Sequence, residues 1–274
     1  MINPALEAQY NNRALVPEHP AIFERWRRDS ASFRDSARCT LDVAYGSTLR
    51  EKLDVFHASN PRGTVIFIHG GYWRSLDKSD FSFVARPFVD AGLSVVAINY
   101  RLCPSVTVGD IVEDCRQAVA FILAKGAAHD LLVERVALVG HSAGGHLVAM
   151  QYATDWRARQ CDATCIIGGM ALSGVYDLEP LLDCSMNADL RLDHHTARLS
   201  SPIRLAPLLN EPLHLASGAN ESNAFREQSR MLAAAWPLIC ETPEEIDGAN
   251  HFTVVDRFVE PTNQSFLRVV QLFA

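Results

Sequence analysis

The segment from Val136 to Met150 constrains the fold of this chain more than any other. Its sequence is V-A-L-V-G-H-S-A-G-G-H-L-V-A-M, an apolar run that stops at Gly140 and gives way to a helical pattern after Ser142. G-x-S-x-G between a strand and a helix predicts a sharp turn that exposes the serine hydroxyl at the strand tip. The flanking glycines leave room for that turn because they have no Cβ. We therefore predict that Ser142 is a nucleophile and that the helix starting at Ala143 directs free N–H groups at the reacting atoms.

Buried strands and helices alternate around this segment. Near-continuous apolar runs predict strands at Thr64–His69, Leu93–Asn99, Val136–Val139 and Cys165–Leu172, and helical spacing predicts helices at Phe81–Ala91, Gly109–Lys125 and Ala143–Ala153. Strands that are apolar throughout are typical of a parallel sheet covered on both faces. The pattern predicts an α/β fold with a doubly wound, mostly parallel sheet and helices on both faces. Ligands bind beyond the carboxyl ends of such strands, where Ser142 and His69 both lie.

The remaining segments complete a single predicted domain over residues 1–274. Alternating patterns predict an antiparallel edge pair at Cys39–Tyr45 and Lys52–His57, and further elements are expected at Leu213–Ser217 (strand), Ala224–Ala235 (helix), Leu238–Glu241 (last strand) and Thr262–Phe273 (closing helix). Residues 1–36 are expected to form an N-terminal extension with a short helix at Ala21–Arg28, which either packs on the domain or contributes to the active-site rim. Residues 177–209 interrupt the alternation and are expected to form a partial lid of short helices and loops.

The composition of the chain limits the classes of molecule that it is expected to bind. The net charge is −7, without a basic run, which argues against binding to nucleic acid or an anionic membrane surface. No stretch is apolar enough to span a bilayer, and the polar N-terminus is not a signal peptide. Seven scattered cysteines, of which Cys161 and Cys165 are the nearest pair, lack metal spacing and indicate reduced thiols in a cytoplasmic protein. We expect a small-molecule substrate, no metal or cofactor, and, on base rates, a homodimer.

A serine nucleophile needs a histidine base, and His251 is the best candidate. It lies in D-G-A-N-H-F near the C-terminus, after the last predicted strand, where sheets of this type place the base. His146 lies on the helix behind Ser142 and is expected to pack or hydrogen-bond there. His194 and His195 fall in the 177–209 insertion and are expected to be solvated, although either could line the pocket.

The acid that orients the base has three candidates. The chain order serine, acid, histidine places it after the strand Leu213–Ser217, and Glu221 is the only carboxylate in the loop that follows. Asp177, at the end of the preceding strand, and Asp247, four residues before His251, remain alternatives. We favour Glu221 because its carboxylate can accept the imidazole N–H and stabilise the imidazolium.

The segment H-G-G-Y-W, from His69 to Trp73, predicts an oxyanion hole. Glycines directly after a buried strand let a loop expose consecutive N–H groups towards the nucleophile. We predict that the N–H groups of Gly71, Tyr72 and Ala143 stabilise the oxyanion. Tyr72 and Trp73 are predicted to flank the substrate pocket and stack on an aryl group, with plain core packing as the alternative for Trp73.

These motifs together resemble the kynurenine formamidase (arylformamidase) branch of the α/β-hydrolases, which is related to the hormone-sensitive-lipase-like esterases. The resemblance extends from about Leu41 to the C-terminus and is carried by H-G-G-x-W, G-H-S-A-G-G, S-G-V-Y-D-L-E-P (173–180), E-S-N-A-F-R-E-Q-S (221–229) and N-H-F; Q-Y-N-N-R (9–13) is similar to bacterial members.

The resemblance implies an α/β-hydrolase fold and hydrolysis of the formamide of N-formylkynurenine to formate and kynurenine through an acyl-enzyme. It implies Ser142 as nucleophile, His251 as base and the 69–73 loop as oxyanion hole. It also supports Glu221 as acid, where many members have aspartate. Relatives that act on small acyl esters make a carboxylesterase or amidase the alternative activity.

Overall fold

One eight-stranded sheet organises the chain in a computed structural model that describes residues 1–274. Its strands are adjacent in the order β1-β2-β4-β3-β5-β6-β7-β8. Their bounds are β1 Cys39–Ala44, β2 Lys52–Phe56, β3 Thr64–Ile68, β4 Ser94–Ile98, β5 Val136–His141, β6 Ile166–Leu172, β7 Leu213–Gly218 and β8 Glu244–Ile246. Strands β3 to β8 pair in parallel, and β2 is antiparallel to both β1 and β4. This confirms the predicted α/β-hydrolase architecture and the antiparallel pair at its edge.

Helices cover both faces of the sheet. They are α1 Pro4–Tyr10, α2 Asn12–Leu15, α3 His19–Ser36, α4 Ala85–Asp90, α5 Val108–Lys125, α6 Ala143–Tyr152, α7 Asn187–Leu190, α8 His194–Leu199, α9 Asn223–Ala235, α10 Thr253–Phe258 and α11 Gln264–Gln271. Residues of β3 alternate between two cores: Ile66 and Ile68 belong to one, Val65 and Phe67 to the other. Both faces of this strand are buried, as its sequence predicted. Each of its residues is therefore either apolar or has its polar group hydrogen-bonded.

The last strand does not lie where the sequence predicted it. Residues 238–241 form a turn after Trp236, whose carbonyl accepts the N–H groups of Ile239 and Cys240. Leu238 is therefore 96% exposed, whereas the next two residues, Ile239 and Cys240, are buried. This order of exposure is that of a turn and differs from the alternation expected in a strand. The strand that pairs with β7 is Glu244–Ile246. Helix α10, which begins two residues after His251, was not predicted.

The N-terminal segment reaches across the molecule to the insertion at 177–209. Helix α3 is much longer than the predicted Ala21–Arg28, and α1 is anchored on the insertion: Asn3 N–H donates to the carbonyl of Asp183 (2.7 Å) and Ser185 N–H donates to Glu7 (2.8 Å). The insertion contains α7, α8 and short 3₁₀ turns at 179–183 and 202–204. No helix of the chain combines the length and apolarity needed to cross a membrane.

Candidate active site

Ser142 lies at a sharp turn between β5 and α6. Its backbone is left-handed, with φ 56° and ψ −119°, a conformation that costs a non-glycine residue roughly 1–3 kcal/mol. The surrounding glycines are required because other backbone atoms lie where a Cβ would be placed. A Cβ on Gly144 would lie 1.9 Å from the carbonyl oxygen of Ile68, and one on Gly140 would lie 2.2 Å from that of Gly144. The predicted turn is therefore present and holds the hydroxyl at the carboxyl end of β5.

His251 bridges Ser142 and Glu221. Its Nε2 lies 3.0 Å from Ser142 Oγ, and its Nδ1 lies 2.7 Å from Glu221 Oε2. Since a carboxylate only accepts, Nδ1–H donates to Glu221, and Nε2 is left to accept the serine hydroxyl proton. All three side chains are buried, so little water competes for these hydrogen bonds. The structure brings together the three residues that the sequence singled out.

A serine that the sequence analysis missed holds the other carboxylate oxygen. Glu221 Oε1 accepts hydrogen bonds from Ser173 Oγ (2.5 Å) and from the backbone N–H of Gly218 (2.6 Å). Ser173 follows the end of β6, and its φ of 50° aims it across the strand ends. Two signals in the sequence point to this position: Ser173 follows a predicted strand beside the nucleophile, and it begins the segment S-G-V-Y-D-L-E-P that carries the family resemblance. These donors fix the orientation of Glu221 and hence of His251.

The competing carboxylates are engaged elsewhere or exposed. Asp177 accepts the N–H of Glu179 (3.1 Å) and lies 3.9 Å from Arg204, while Asp247 is exposed on the surface. Neither forms a hydrogen bond with His251. The geometry therefore favours Glu221 among the three candidates.

The other candidate histidines lie away from the reacting hydroxyl. His146 packs behind Ser142, with Nε2 2.7 Å from the carbonyl oxygen of Ser200 and Nδ1 3.3 Å from Trp73 Nε1. Burial lowers its pKa to about 4. His194 and His195 are exposed on α8. His146 thus hydrogen-bonds in the core, as expected from its place on the helix.

The loop after β3 presents unused N–H groups next to Ser142. Gly71 (φ 118°), Tyr72 (φ 51°) and Trp73 (φ 56°) are all left-handed, which turns the chain so that the N–H groups of Gly71 and Tyr72 have no acceptor in the protein. Ala143 is the first residue of α6, so its N–H has no intrahelical acceptor either. The arrangement supports these three as donors to an oxyanion.

His69 anchors this loop from below. Its Nδ1 lies 2.7 Å from the carbonyl oxygen of Gly70 and its Nε2 lies 2.9 Å from Asn99 Oδ1. Its ring stacks on Tyr100 at 4.4 Å, and that tyrosine donates to the carbonyl of His69. Burial lowers the pKa of His69 to about 4. The histidine of the H-G-G motif therefore supports the loop and does not face the substrate.

A cleft of about 520 Å³, part of it open to solvent, lies above Ser142 and His251. Aromatic rings form much of its wall, namely Phe23, Trp26, Tyr72, Phe81 and Phe252. Two of them, Phe23 and Trp26, come from α3, so the N-terminal extension lines this cleft as well as packing on the domain. Trp73 was predicted to flank the pocket, and this is wrong. Its side chain is fully buried, packs edge-on against His146 at 4.9 Å, and belongs to the core.

Comparison with known proteins places the chain in a family. It is 33% identical over 238 residues to the kynurenine formamidase of Salmo salar, an alignment that covers 83% of this chain and 79% of the relative. The kynurenine formamidase of Danio rerio is 32% identical over 240 residues, with the same coverage. The chain belongs to the kynurenine formamidase family. The family model BD-FAE also matches, over residues 53–191.

Solved structures agree with this assignment. A protein from Silicibacter sp. TM1040, provisionally assigned as a thioesterase, is 30% identical and superposes with a TM-score of 0.84 over 98% of both chains. Esterase B from Lactobacillus rhamnosis is 18% identical with a TM-score of 0.72 over 96% of both chains, a likeness of fold alone. Because its curated relatives are kynurenine formamidases, this member of the kynurenine formamidase family is a hydrolase.

Proposed function

We propose that this kynurenine formamidase family member hydrolyses an aryl formamide of the N-formylkynurenine type, releasing formate and the aryl amine through an acyl-enzyme on Ser142. The observation that carries the proposal is the hydrogen-bonded series Ser142–His251–Glu221 at the floor of an aromatic cleft. Its likeness to curated kynurenine formamidases supports the choice of a formamide.

In the first half of the reaction, His251 Nε2 takes the proton of Ser142 as Oγ attacks the formyl carbon. The new C–O bond places negative charge on the former carbonyl oxygen, within reach of the N–H groups of Gly71, Tyr72 and Ala143. Glu221 stabilises the imidazolium by accepting its Nδ1–H. The C–N bond then breaks, and His251 returns its proton to the leaving aryl amine.

In the second half, water replaces the amine. His251 accepts a proton from that water, whose oxygen attacks the formyl ester on Ser142. The tetrahedral intermediate uses the same oxyanion donors. Its collapse breaks the ester C–O bond, releases formate and returns the proton to Ser142 Oγ. No charged group other than this series is needed for either half.

The cleft lining supports an aryl substrate. The rings of Phe252 and Phe23 meet edge to face at 5.0 Å, and Trp26 packs 5.2 Å from Phe81, which gives an apolar wall beside Ser142. Stacking and edge contacts with an aromatic substrate would add about 0.5–1.5 kcal/mol for each well-placed ring pair. Tyr72 also lines this cleft, and we propose that its ring contacts the aryl group.

The proposal is tested with Ser142→Ala and a fluorophosphonate probe. We expect the wild-type chain to hydrolyse N-formylkynurenine and to be labelled on Ser142, and Ser142→Ala to lose both properties. His251→Ala is expected to lose labelling as well, because the serine then has no base. Ser36→Ala, at the exposed end of α3, serves as the matched control and should retain both. Full formamidase activity in Ser142→Ala would refute the acyl-enzyme.

A carboxylesterase acting on small acyl esters is the second candidate, favoured by the esterases among the structural neighbours. The two candidates share every catalytic step and differ in the leaving group. A comparison of kcat/KM for N-formylkynurenine and p-nitrophenyl acetate separates them. If only the ester turns over, the formamidase proposal fails and the esterase proposal stands.

A further inference from the structure

The cleft above Ser142 is cationic although the chain is acidic. Its sixteen lining residues include two arginines, Arg13 and Arg74, and no aspartate or glutamate, whereas the whole chain carries a net charge of −7. The proposed chemistry at Ser142 makes no use of these guanidinium groups. A positive cleft in a negative protein favours an anionic ligand.

Arg13 is the arginine without a partner. Arg74 pairs with Asp189 at 2.5 Å, but no carboxylate lies within ion-pair distance of Arg13. Its guanidinium donates to Ser75 Oγ (3.0 Å) and lies 5.9 Å from the centre of the Phe23 ring. Partial burial and the charge of Arg74 lower its pKa. An anion bound in the cleft would relieve that repulsion.

The preceding residue offers a second unused donor. Asn12 is only 3% exposed, its Nδ2 amide has no hydrogen-bond partner, and it lines the same cleft. A buried polar group left unsatisfied costs about 1–3 kcal/mol. An acceptor supplied by the ligand would remove that cost.

The segment that carries both residues is held against the oxyanion loop. Tyr72 Oη donates to the carbonyl oxygen of Tyr10 (2.5 Å), and Ser222 Oγ, next to Glu221, donates to that of Gln9 (2.7 Å). The backbone that leads into Asn12 and Arg13 is therefore held close to Ser142, and the exposed Arg13 side chain is positioned by its hydrogen bond to Ser75 Oγ. A group bound by them sits at a set distance from the scissile bond.

We propose that Asn12 and Arg13 form a carboxylate-binding site that selects substrates with a negative charge remote from the reacting carbonyl. Arginine is suited to this role because its planar guanidinium can bind a carboxylate through two parallel hydrogen bonds. The identity of the bond that is cleaved rests on the proposed function. The anion site itself does not, because it is defined by donors that take no part in the chemistry.

The kinetic test compares N-formylkynurenine with its carboxamide, in which a neutral amide replaces the carboxylate. For the wild-type chain, we expect kcat/KM to favour the carboxylate by roughly ten- to a hundredfold. Arg13→Gln should abolish most of that preference, mainly through KM, and Arg13→Lys should restore part of it. Arg28→Gln, an exposed arginine on α3 paired only with Asp29, is the matched control and should keep the preference. An equal loss on both substrates in Arg13→Gln would overturn the proposal.

A binding measurement separates failure of this site from failure of the formamidase activity. The probe is 3-benzoylpropionate, an aryl keto acid without a formamide, titrated by calorimetry into the wild-type, Arg13→Gln and Arg28→Gln proteins. We expect binding to wild type and Arg28→Gln, and at least a tenfold weaker affinity for Arg13→Gln. If the formamide is not hydrolysed but this pattern appears, the proposed function fails and the anion site stands. Absent or Arg13-independent binding refutes the site.

Discussion

Glu221 Oε2 lies 2.7 Å from Nδ1 of His251, and the glutamate side chain has no solvent-exposed surface. The carboxylate is therefore held at the Nδ1 edge of the imidazole ring. Its second oxygen is occupied by Ser173 and Gly218. Glu221 thus sets both the tautomer of His251 and the direction of its Nε2, a relationship that leads directly to the first prediction.

Glu221→Gln should lower kcat by roughly a thousandfold or more. The amide can present an N–H to Nδ1, which favours the tautomer with the proton on Nε2 and leaves no acceptor for Ser142. The change is nearly isosteric, so the fold should persist. Steady-state hydrolysis of N-formylkynurenine or p-nitrophenyl acetate, with circular dichroism as a check of folding, measures the effect. A folded variant with more than a tenth of wild-type kcat would contradict this role.

Ser173→Ala should cost stability as well as rate. The variant removes one donor to the buried Glu221 carboxylate while leaving the Gly218 N–H in place. Hydrogen bonds to charged groups contribute about 1.5–3 kcal/mol, so we expect a drop of that order in the free energy of unfolding. Urea denaturation provides the measurement. Ser36→Ala, which removes only neutral hydrogen bonds to the carbonyls of Ser32 and Phe33 at the exposed end of α3, is the comparison and should lose less.

Gly144→Ala should disrupt the turn that holds Ser142. The new Cβ would lie 1.9 Å from the carbonyl oxygen of Ile68, a backbone atom of the central sheet that cannot move aside. We expect a loss of about 3 kcal/mol, the upper end of the usual cost of overpacking, in thermal or urea denaturation. The control is Gly109→Ala on α5, where the nearest atom would be 3.7 Å away. That variant should be up to about 1 kcal/mol more stable, since alanine favours helix. Equal effects at the two glycines would disprove the steric argument.

Most of the sheet and the proximity of Ser142, His251 and Glu221 could be predicted because each depends on local patterns. β3 to β6 are apolar throughout, and a parallel sheet brings their carboxyl ends to one edge wherever the helices lie. Ser142 is marked by its flanking glycines, and His251 and Glu221 by their order after successive strands. These patterns can be recognised in the sequence without knowledge of any long-range contact.

The features that were missed depend on contacts between distant parts of the chain. Leu238–Glu241 has the composition of a strand, but a turn at Trp236 fixes it instead. Trp73 lies in the loop proposed as the oxyanion hole, yet its left-handed backbone sends the ring into the core against His146. Arg13 reaches the cleft because α1 is hydrogen-bonded to the 177–209 insertion, to Tyr72 and to Ser222. No periodicity in the sequence encodes such docking.

Protonation of His146 should destabilise the fold at mildly acidic pH. Its Nδ1 accepts from Trp73 and its Nε2 donates to Ser200, so only the neutral ring satisfies both partners. The pKa is about 4 in the folded chain against an ordinary value of 6.5. Between these values the unfolded chain takes up a proton that the folded chain does not, so stability present above pH 6.5 is lost as the pH falls towards 4. The loss attributable to this residue is up to roughly 3 kcal/mol.

Urea denaturation between pH 7.5 and 4.5 tests this on the wild type and His146→Gln. Glutamine can keep one donor and one acceptor but cannot titrate, so the free energy of unfolding should fall less steeply in the variant. The residual slope should include His69, whose buried ring has its pKa lowered in the same direction. His194→Gln, exposed on α8, should leave the wild-type slope unchanged. Parallel curves for wild type and His146→Gln would mean that His146 does not contribute to acid sensitivity.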